Sequence, residues 1–190
     1  SALSSSSAAS DVYKRQMETG LNLRQAILND ADRIWEILQQ AIQKRKKEGS
    51  DQWQNGYPNL DVVKNDISNG FGYVIENDDN LIIGYVAIID EIEPAYTAIE
   101  GKWLNDDPYI VIHRLAVAQD IKMKGLGTWT MDEIEKIAIT KKIQNIKVDT
   151  NFDNIGMLRV FEKLGYHYCG EVYFDGSPRK AFQKIIQDLT

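Results

Sequence analysis

The basic, glycine-punctuated run Lys122-Met-Lys-Gly-Leu-Gly-Thr128 follows the β-branched stretch Ile110-Val-Ile-His-Arg-Leu-Ala-Val117, and a helical pattern begins almost at once behind it. A strand, a short turn and a glycine loop feeding a helix leave free backbone N–H groups at the helix N-terminus. There the macrodipole favours negative charge. Gly125 and Gly127 let the main chain approach a bound group, while Lys122 and Lys124 add positive charge. A phosphate-bearing ligand is the expected occupant, and a plain turn is the competing reading.

Glycine spacing narrows the phosphate chemistry. A Walker loop needs Gly, four residues, then Gly-Lys-Ser/Thr, and this chain has no such run. A dinucleotide fingerprint needs a third glycine where Thr130 stands, although Asp149 lies at roughly the twenty-residue spacing of its acidic partner. What remains is Lys-x-x-Gly-x-Gly.

Composition bounds the rest. The chain has 190 residues, 43% of them hydrophobic, which suffices for one full core. No apolar run approaches the roughly twenty residues of a membrane span. The single cysteine, Cys169, has no internal disulfide partner, and the two histidines lack cysteines with which to hold structural zinc. No metal is expected, and a reducing, cytoplasmic setting fits. A net charge of −6 argues against nucleic acid as a partner, because phosphate backbones select basic faces. It is compatible with a cationic substrate, though also with a merely solvated acidic surface. Residues 1–16 read as a disordered tail or an appended remnant, and 17–190 as a single domain.

The elements that must position the glycine loop are legible as pattern. Leu21–Ile27 alternates as a first strand. Asn29 or Asp30 caps a helix with Ile34, Ile37, Leu38, Ala41 and Ile42 on one face, and its basic end Lys44–Lys47 reads as a solvated last turn. Asn59 or Asp61 opens a second helix to about Ser68. The runs 71–76 and 81–90 form a hairpin across Asn77–Asn80, and a long strand covers 109–118. A helix runs from about Gly125 to Thr140, with Leu126, Ile134, Ile137 and Ala138 inward. A strand follows at 146–150, then a helix capped by Asp153 with Met157, Leu158, Phe161 and Leu164 on one face and Gly165 at its left-handed end. The runs 166–174 and 179–186 meet across Asp175-Gly-Ser-Pro178. No internal repeat is present.

The glycine loop resembles the Arg/Gln-x-x-Gly-x-Gly/Ala loop of the GNAT superfamily of acyl-CoA N-acyltransferases. Asn154-Ile-Gly-Met-Leu-Arg-Val-Phe-Glu-Lys-Leu-Gly-Tyr166 is similar to that family's Asn-x-x-Ala-x-x-Leu-Tyr-x-x-x-Gly-Phe helix, and the element order from about Leu21 to Ile186 looks like its fold. The resemblance implies an α+β fold with a mostly antiparallel, splayed sheet and about four helices. It also implies acetyl-CoA as cofactor and direct transfer of an acetyl group, in a ternary complex, to a primary amine on a small molecule or peptide. A catalytically weak acyl-CoA sensor or interaction module is the alternative, and monomer and homodimer both stay open.

By the same resemblance, Leu115, Ala116 and Val117 offer backbone groups to the pantetheine arm. Lys122, Met123, Lys124, Gly125, Leu126, Gly127 and Thr128 hold the pyrophosphate, and Asn154 and Phe161 complete the cofactor site. Asn154 also reads as a simple helix-start residue. Phe161 stands where many relatives carry a tyrosine that protonates the leaving thiolate, and Tyr166, Tyr168 and Tyr173 are the candidate substitutes. The acceptor amine is mostly protonated near neutral pH, so a base must deprotonate it. His113 resembles in placement a catalytic histidine of arylalkylamine-type members; the alternative is a hydrogen-bonded structural histidine. Strand alternation puts His113, Leu115 and Val117 on one face. The loop Gln52-Trp-Gln-Asn-Gly-Tyr57 is expected to meet the acceptor, with Trp53 and Tyr57 as a wall and Gln52 and Gln54 fixing orientation. Alternatively, Trp53 and Tyr57 plug the core. His167 is expected at the surface.

Overall fold

Eight strands join in one sheet because each β-rich run finds a neighbour for its backbone, and amphipathic helices cover both faces. The computed structural model describes residues 20–121 and 123–187, so segment 1–16 and Lys122 lie outside the described residues. In chain order come β1 (Asn22–Gln25), α1 (Ala31–Lys47), α2 (Leu60–Ser68), β2 (Gly72–Glu76), β3 (Ile82–Ile89) and β4 (Glu100–Gly101). Then follow β5 (Tyr109–Val117), α3 (Leu126–Thr140), β6 (Asn145–Thr150), α4 (Ile155–Lys163), β7 (His167–Phe174) and β8 (Ser177–Ile185). The strand order is β1-β2-β3-β5-β6-β8-β7-β4, and among the described residues only β5 and β6 run parallel. The expected α+β, mostly antiparallel architecture is thus present.

On one face, Ile34, Ile37 and Leu38 of α1 and Val63 of α2 pack on Val74, Tyr85 and Ala116. Each of those helical side chains is fully buried and contributes about 1.5–3 kcal/mol of transfer free energy. On the other face, Met131, Ile134 and Ala138 of α3 and Phe161 of α4 cover Ile110, Ile112, Ile146 and Val148. A third cluster sits beneath a 3₁₀ turn, Pro94–Ala98, where Tyr96 and Trp103 cover Val111, Val172 and Ala181. This turn and the short β4 were not evident in the sequence. β4 meets β7 so closely that a Cβ on Gly101 would lie 2.1 Å from the Cys169 carbonyl oxygen. Glycine at that crossing anchors the segment that carries Glu93.

Three local expectations are corrected. Asn154, not Asp153, caps α4, its side chain accepting from the Met157 amide at 3.3 Å. Asp153 instead accepts from Arg45 at 2.6 Å, so one member of the basic run is half-buried and paired rather than solvated. Asp30 precedes α1 without capping it: its carboxylate accepts from Arg24 and the Ile27 amide, and Arg24 holds it below the usual carboxylate range.

The consequential departure lies inside β5. Ala116 pairs with Tyr85 and His113 with Ala87, so Arg114 and Leu115 together face Val86. Arg114 has φ 57°, a left-handed conformation costing a non-glycine residue about 1–3 kcal/mol. This β-bulge inverts the alternation. Leu115 packs on the α3 and α4 face with Ile110 and Ile112, and Val117 lies beside Leu126, whereas His113 points with Ala116 to the opposite face. The shared face expected for His113, Leu115 and Val117 therefore does not exist.

Candidate active site

β5 and β6 pair only through Tyr109–Ile112 and Asn145–Val148. Beyond that point β6 stays bonded to β8 up to Thr150, and β5 stays bonded to β3 up to Val117. From His113 onward β5 has thus lost its β6 partner and carries an unpaired edge. The two strands diverge around a cleft of about 1130 Å³. Leu115, Ala116 and Val117 line it, as do Met123 to Thr128, Asn154 and Phe161, so the described residues expected to hold a cofactor converge on one cavity.

The glycine loop is open at the end facing that cavity. Gly125 is the N-cap of α3 with φ 77°, and no side chain caps the helix. The first amides of a helix, here those of Leu126, Gly127 and Thr128, have no partner within it, whereas the Trp129 amide already bonds Gly125. A Cβ at Gly125 would meet nothing, so its glycine serves the backbone conformation rather than a crowded contact.

Among the described residues, two side-chain carbonyl oxygens are buried without a hydrogen-bond partner, Gln52 Oε1 and Asn151 Oδ1, and both residues line the cleft. Acceptors left in this state cost about 1–3 kcal/mol each unless a bound donor satisfies them. Asn151 was not singled out from the sequence. Asn154, which was, spends its Oδ1 on the helix cap.

Around His113 stand two carboxylates from distant parts of the chain. His113 Nε2 lies 2.9 Å from Glu93 Oε2, and Nδ1 lies 4.0 Å from Asp149 Oδ2. The His113 contact holds Glu93 below the ordinary carboxylate range, against an opposing effect of burial. Burial pushes Asp149 upward, and the Tyr96 hydroxyl donates to it at 2.6 Å. An ionised Glu93 accepts the proton of Nε2 and leaves Nδ1 as the basic nitrogen of a neutral imidazole. Sequence spacing could not reveal Glu93 or Asp149 as partners of His113. The one available signal was the alternation of Lys147 and Asp149 with Ile146 and Val148 in one strand.

A second polar cluster secures the bulge. Arg114 donates from Nε and Nη2 to both oxygens of Asp66 at 2.9 and 2.6 Å, and from Nη1 to the Tyr57 hydroxyl at 2.5 Å. Asp66 also accepts from the Tyr85 hydroxyl at 2.5 Å; Arg114, Asp66 and Tyr85 are nearly buried, whereas Tyr57 is exposed. Tyr57 thereby keeps its own hydroxyl proton uncommitted while lining the cleft. Trp53 lines the cleft and also packs against the α1 cluster. Gln54 donates to the Ile42 and Gln52 carbonyls and braces the loop. Tyr166, Tyr168 and Tyr173 do not line the cleft. Tyr166 packs on Phe161, Tyr168 on Phe182, and Tyr173 donates to Glu100 and Glu171 at the surface. His167 is exposed.

Residues 31–166 match the model of the acetyltransferase (GNAT) family, and the chain belongs to that family. A GNAT-family acetyltransferase from Streptococcus agalactiae superposes with a TM-score of 0.81 at 36% identity, over 89% of this chain and 97% of that one. The fold also matches yncA of Salmonella typhimurium, a protein assigned as an acetyltransferase and solved with its cofactor acetyl-CoA, with a TM-score of 0.63 at 14% identity over 89% and 95% of the two chains. The uncharacterised protein YxbD of Bacillus subtilis strain 168 is 32% identical over 95 residues, which is 50% of this chain. The match spans about half, 49%, of YxbD. Among the described residues no helix is long and apolar enough to cross a membrane, and no group of three or more His, Cys, Asp or Glu side chains is placed to hold a metal.

Proposed function

We propose that this chain is an N-acetyltransferase that uses acetyl-CoA to acetylate a primary amine in a ternary complex. The observation that carries the reading is the unpaired β5 edge leading directly to the uncapped N-terminus of α3. The residues present fit coenzyme A. The amides of Leu126, Gly127 and Thr128, with Lys124, suit its pyrophosphate. The backbone of Leu115 to Val117 and the unpartnered Asn151 Oδ1 suit its amide-bearing arm. When bound, acetyl-CoA would supply an acetyl group activated as a thioester.

The chain supplies the proton chemistry. Glu93 fixes the tautomer of His113, whose Nδ1 takes the proton from the incoming ammonium. Tyr57, in place of the phenol that Phe161 lacks, presents a free hydroxyl proton to the cleft. Cys169, the chain's one cysteine, is buried away from the cleft, which favours direct transfer over passage through a cysteine thioester. It also suits the cytoplasmic setting we propose. Isothermal titration with acetyl-CoA should show saturable heat at micromolar concentrations, and an amine panel should then release free thiol. No heat at high micromolar ligand would remove the assignment. Binding without thiol release from any amine would favour the sensor reading instead.

A further inference from the structure

The acceptor end of the cleft carries a cation that the chemistry above does not use. Arg179, on β8, lines the cleft and is half-buried. Its Nη1 donates to Ser177 Oγ at 2.6 Å and to the Pro178 carbonyl at 3.1 Å, both within its own hairpin. Among the described residues it forms no ion pair. Asp175 of the same hairpin also lines the cleft without pairing with it. The other cleft arginines are committed: Arg45 to Asp153 and Glu48, and Arg114 to Asp66. Lys124 belongs to the glycine loop at the far end, and Lys44 is exposed on the last turn of α1.

Register fixes where Arg179 points. Ala181 pairs with Asp149, so both side chains leave the sheet on one face, the face of Tyr96, Val111 and His113. Arg179 is two residues away on the same strand, hence on the same face and roughly 7 Å further along. The guanidinium and the Asp149 carboxyl interact across that distance, Arg179 opposing the rise that burial imposes on Asp149. Two carboxylates flanking an imidazole suit an ammonium group. A guanidinium fork with Nε and Nη2 uncommitted suits a planar oxyanion.

Resting on the assignment of an N-acetyltransferase, we propose that the acceptor is a zwitterion, a primary amine bearing a carboxylate close to its nitrogen, as in an α-amino acid. Arg179 receives the carboxylate while Glu93, His113 and Asp149 receive the amine. Arg179 is thus a specificity residue for the acceptor and not part of the proton transfer.

The test uses the full chain, saturating acetyl-CoA and matched acceptors that differ only in the anionic group: phenylalanine against phenethylamine, histidine against histamine, and 2-aminoethylphosphonate against ethylamine as the phosphonate arm. For the wild-type protein, kcat/KM should favour the amino acid of each carboxylate pair by about 10- to 100-fold, the range expected for a charged hydrogen-bonding contact. Arg179→Gln should erase that ratio chiefly through KM of the amino acid. Arg179→Glu should shift preference toward a diamine such as 1,3-diaminopropane, which a merely structural role for Arg179 would not produce. Ser177→Ala, which removes the hairpin hydrogen bond but keeps the charge, should retain the carboxylate preference. Equal rates on the decarboxylated partners, a larger advantage for the phosphonate than for either carboxylate, or an unchanged ratio in Arg179→Gln would each overturn the inference while leaving the N-acetyltransferase assignment standing. Acetyl-CoA bound with no thiol released from any acceptor would overturn both.

Discussion

The two ends of the cleft are built from different materials. On the proposed assignment, the groups that would recognise a ligand at the glycine-loop end are backbone: the first amides of α3 and the free edge of β5. At the other end they are side chains, Glu93, His113, Asp149 and Arg179, brought from four separate segments. Backbone groups recognise what any peptide can recognise, an anion or a chain of amides, and they depend on conformation more than on residue identity. Side chains from scattered segments recognise one arrangement of charge, and a single substitution rewrites it. A family can therefore keep its donor while exchanging its acceptor.

Substitution at the side-chain end should have the largest effect. His113→Ala is expected to lower kcat by about 10²- to 10⁴-fold and to remove the acid limb of the pH–rate profile, with the titration of acetyl-CoA unchanged. An unaltered profile would clear His113 of proton transfer and leave it a structural residue between two carboxylates. Next comes the joint between the ends. Arg114→Ala leaves Asp66 buried without its counter-charge, and about 3–5 kcal/mol of unfolding free energy should be lost in chemical denaturation. A loss under 1 kcal/mol would mean that the bulge is held by the sheet alone. The smallest effect should fall on the backbone-built end. Gly125→Ala forces a Cβ into φ 77° at a cost of about 1–2 kcal/mol, read as weaker acetyl-CoA binding with amine KM little changed. Equal loss for both ligands would blur the distinction between the ends.

The same division explains what the sequence made visible. A phosphate loop is a local object: glycine spacing, a preceding strand and a following helix lie within about twenty residues, so Lys122–Thr128 could be picked out directly. Helix faces were equally local, and Ile34, Ile37 and Leu38 are buried as their spacing required. The acceptor end depends on which strands become neighbours. Glu93 reaches His113 only because β4 pins its segment against β7, and Asp149 does so only because β6 runs parallel beside β5. Arg114 illustrates a subtler failure. Strand alternation is reliable until one residue is inserted, and the chain carries no glycine at the bulge to announce it. The charged pair Lys147 and Asp149, alternating with apolar residues in a strand covered on both faces, was the available hint that polar groups would be buried there.

The unpaired edge of β5 bears on solubility as well as on chemistry. A strand with open amides and carbonyls invites a neighbouring molecule to extend the sheet, and proteins ordinarily blunt such edges with charge, proline or distortion. Here the edge lies inside a fissure walled by α1 on one side and α3 and α4 on the other. Something as slender as a single extended chain can reach it, but the broad face of another protein's sheet cannot. So placed, the edge is shielded from the sheet-to-sheet pairing that an open strand invites.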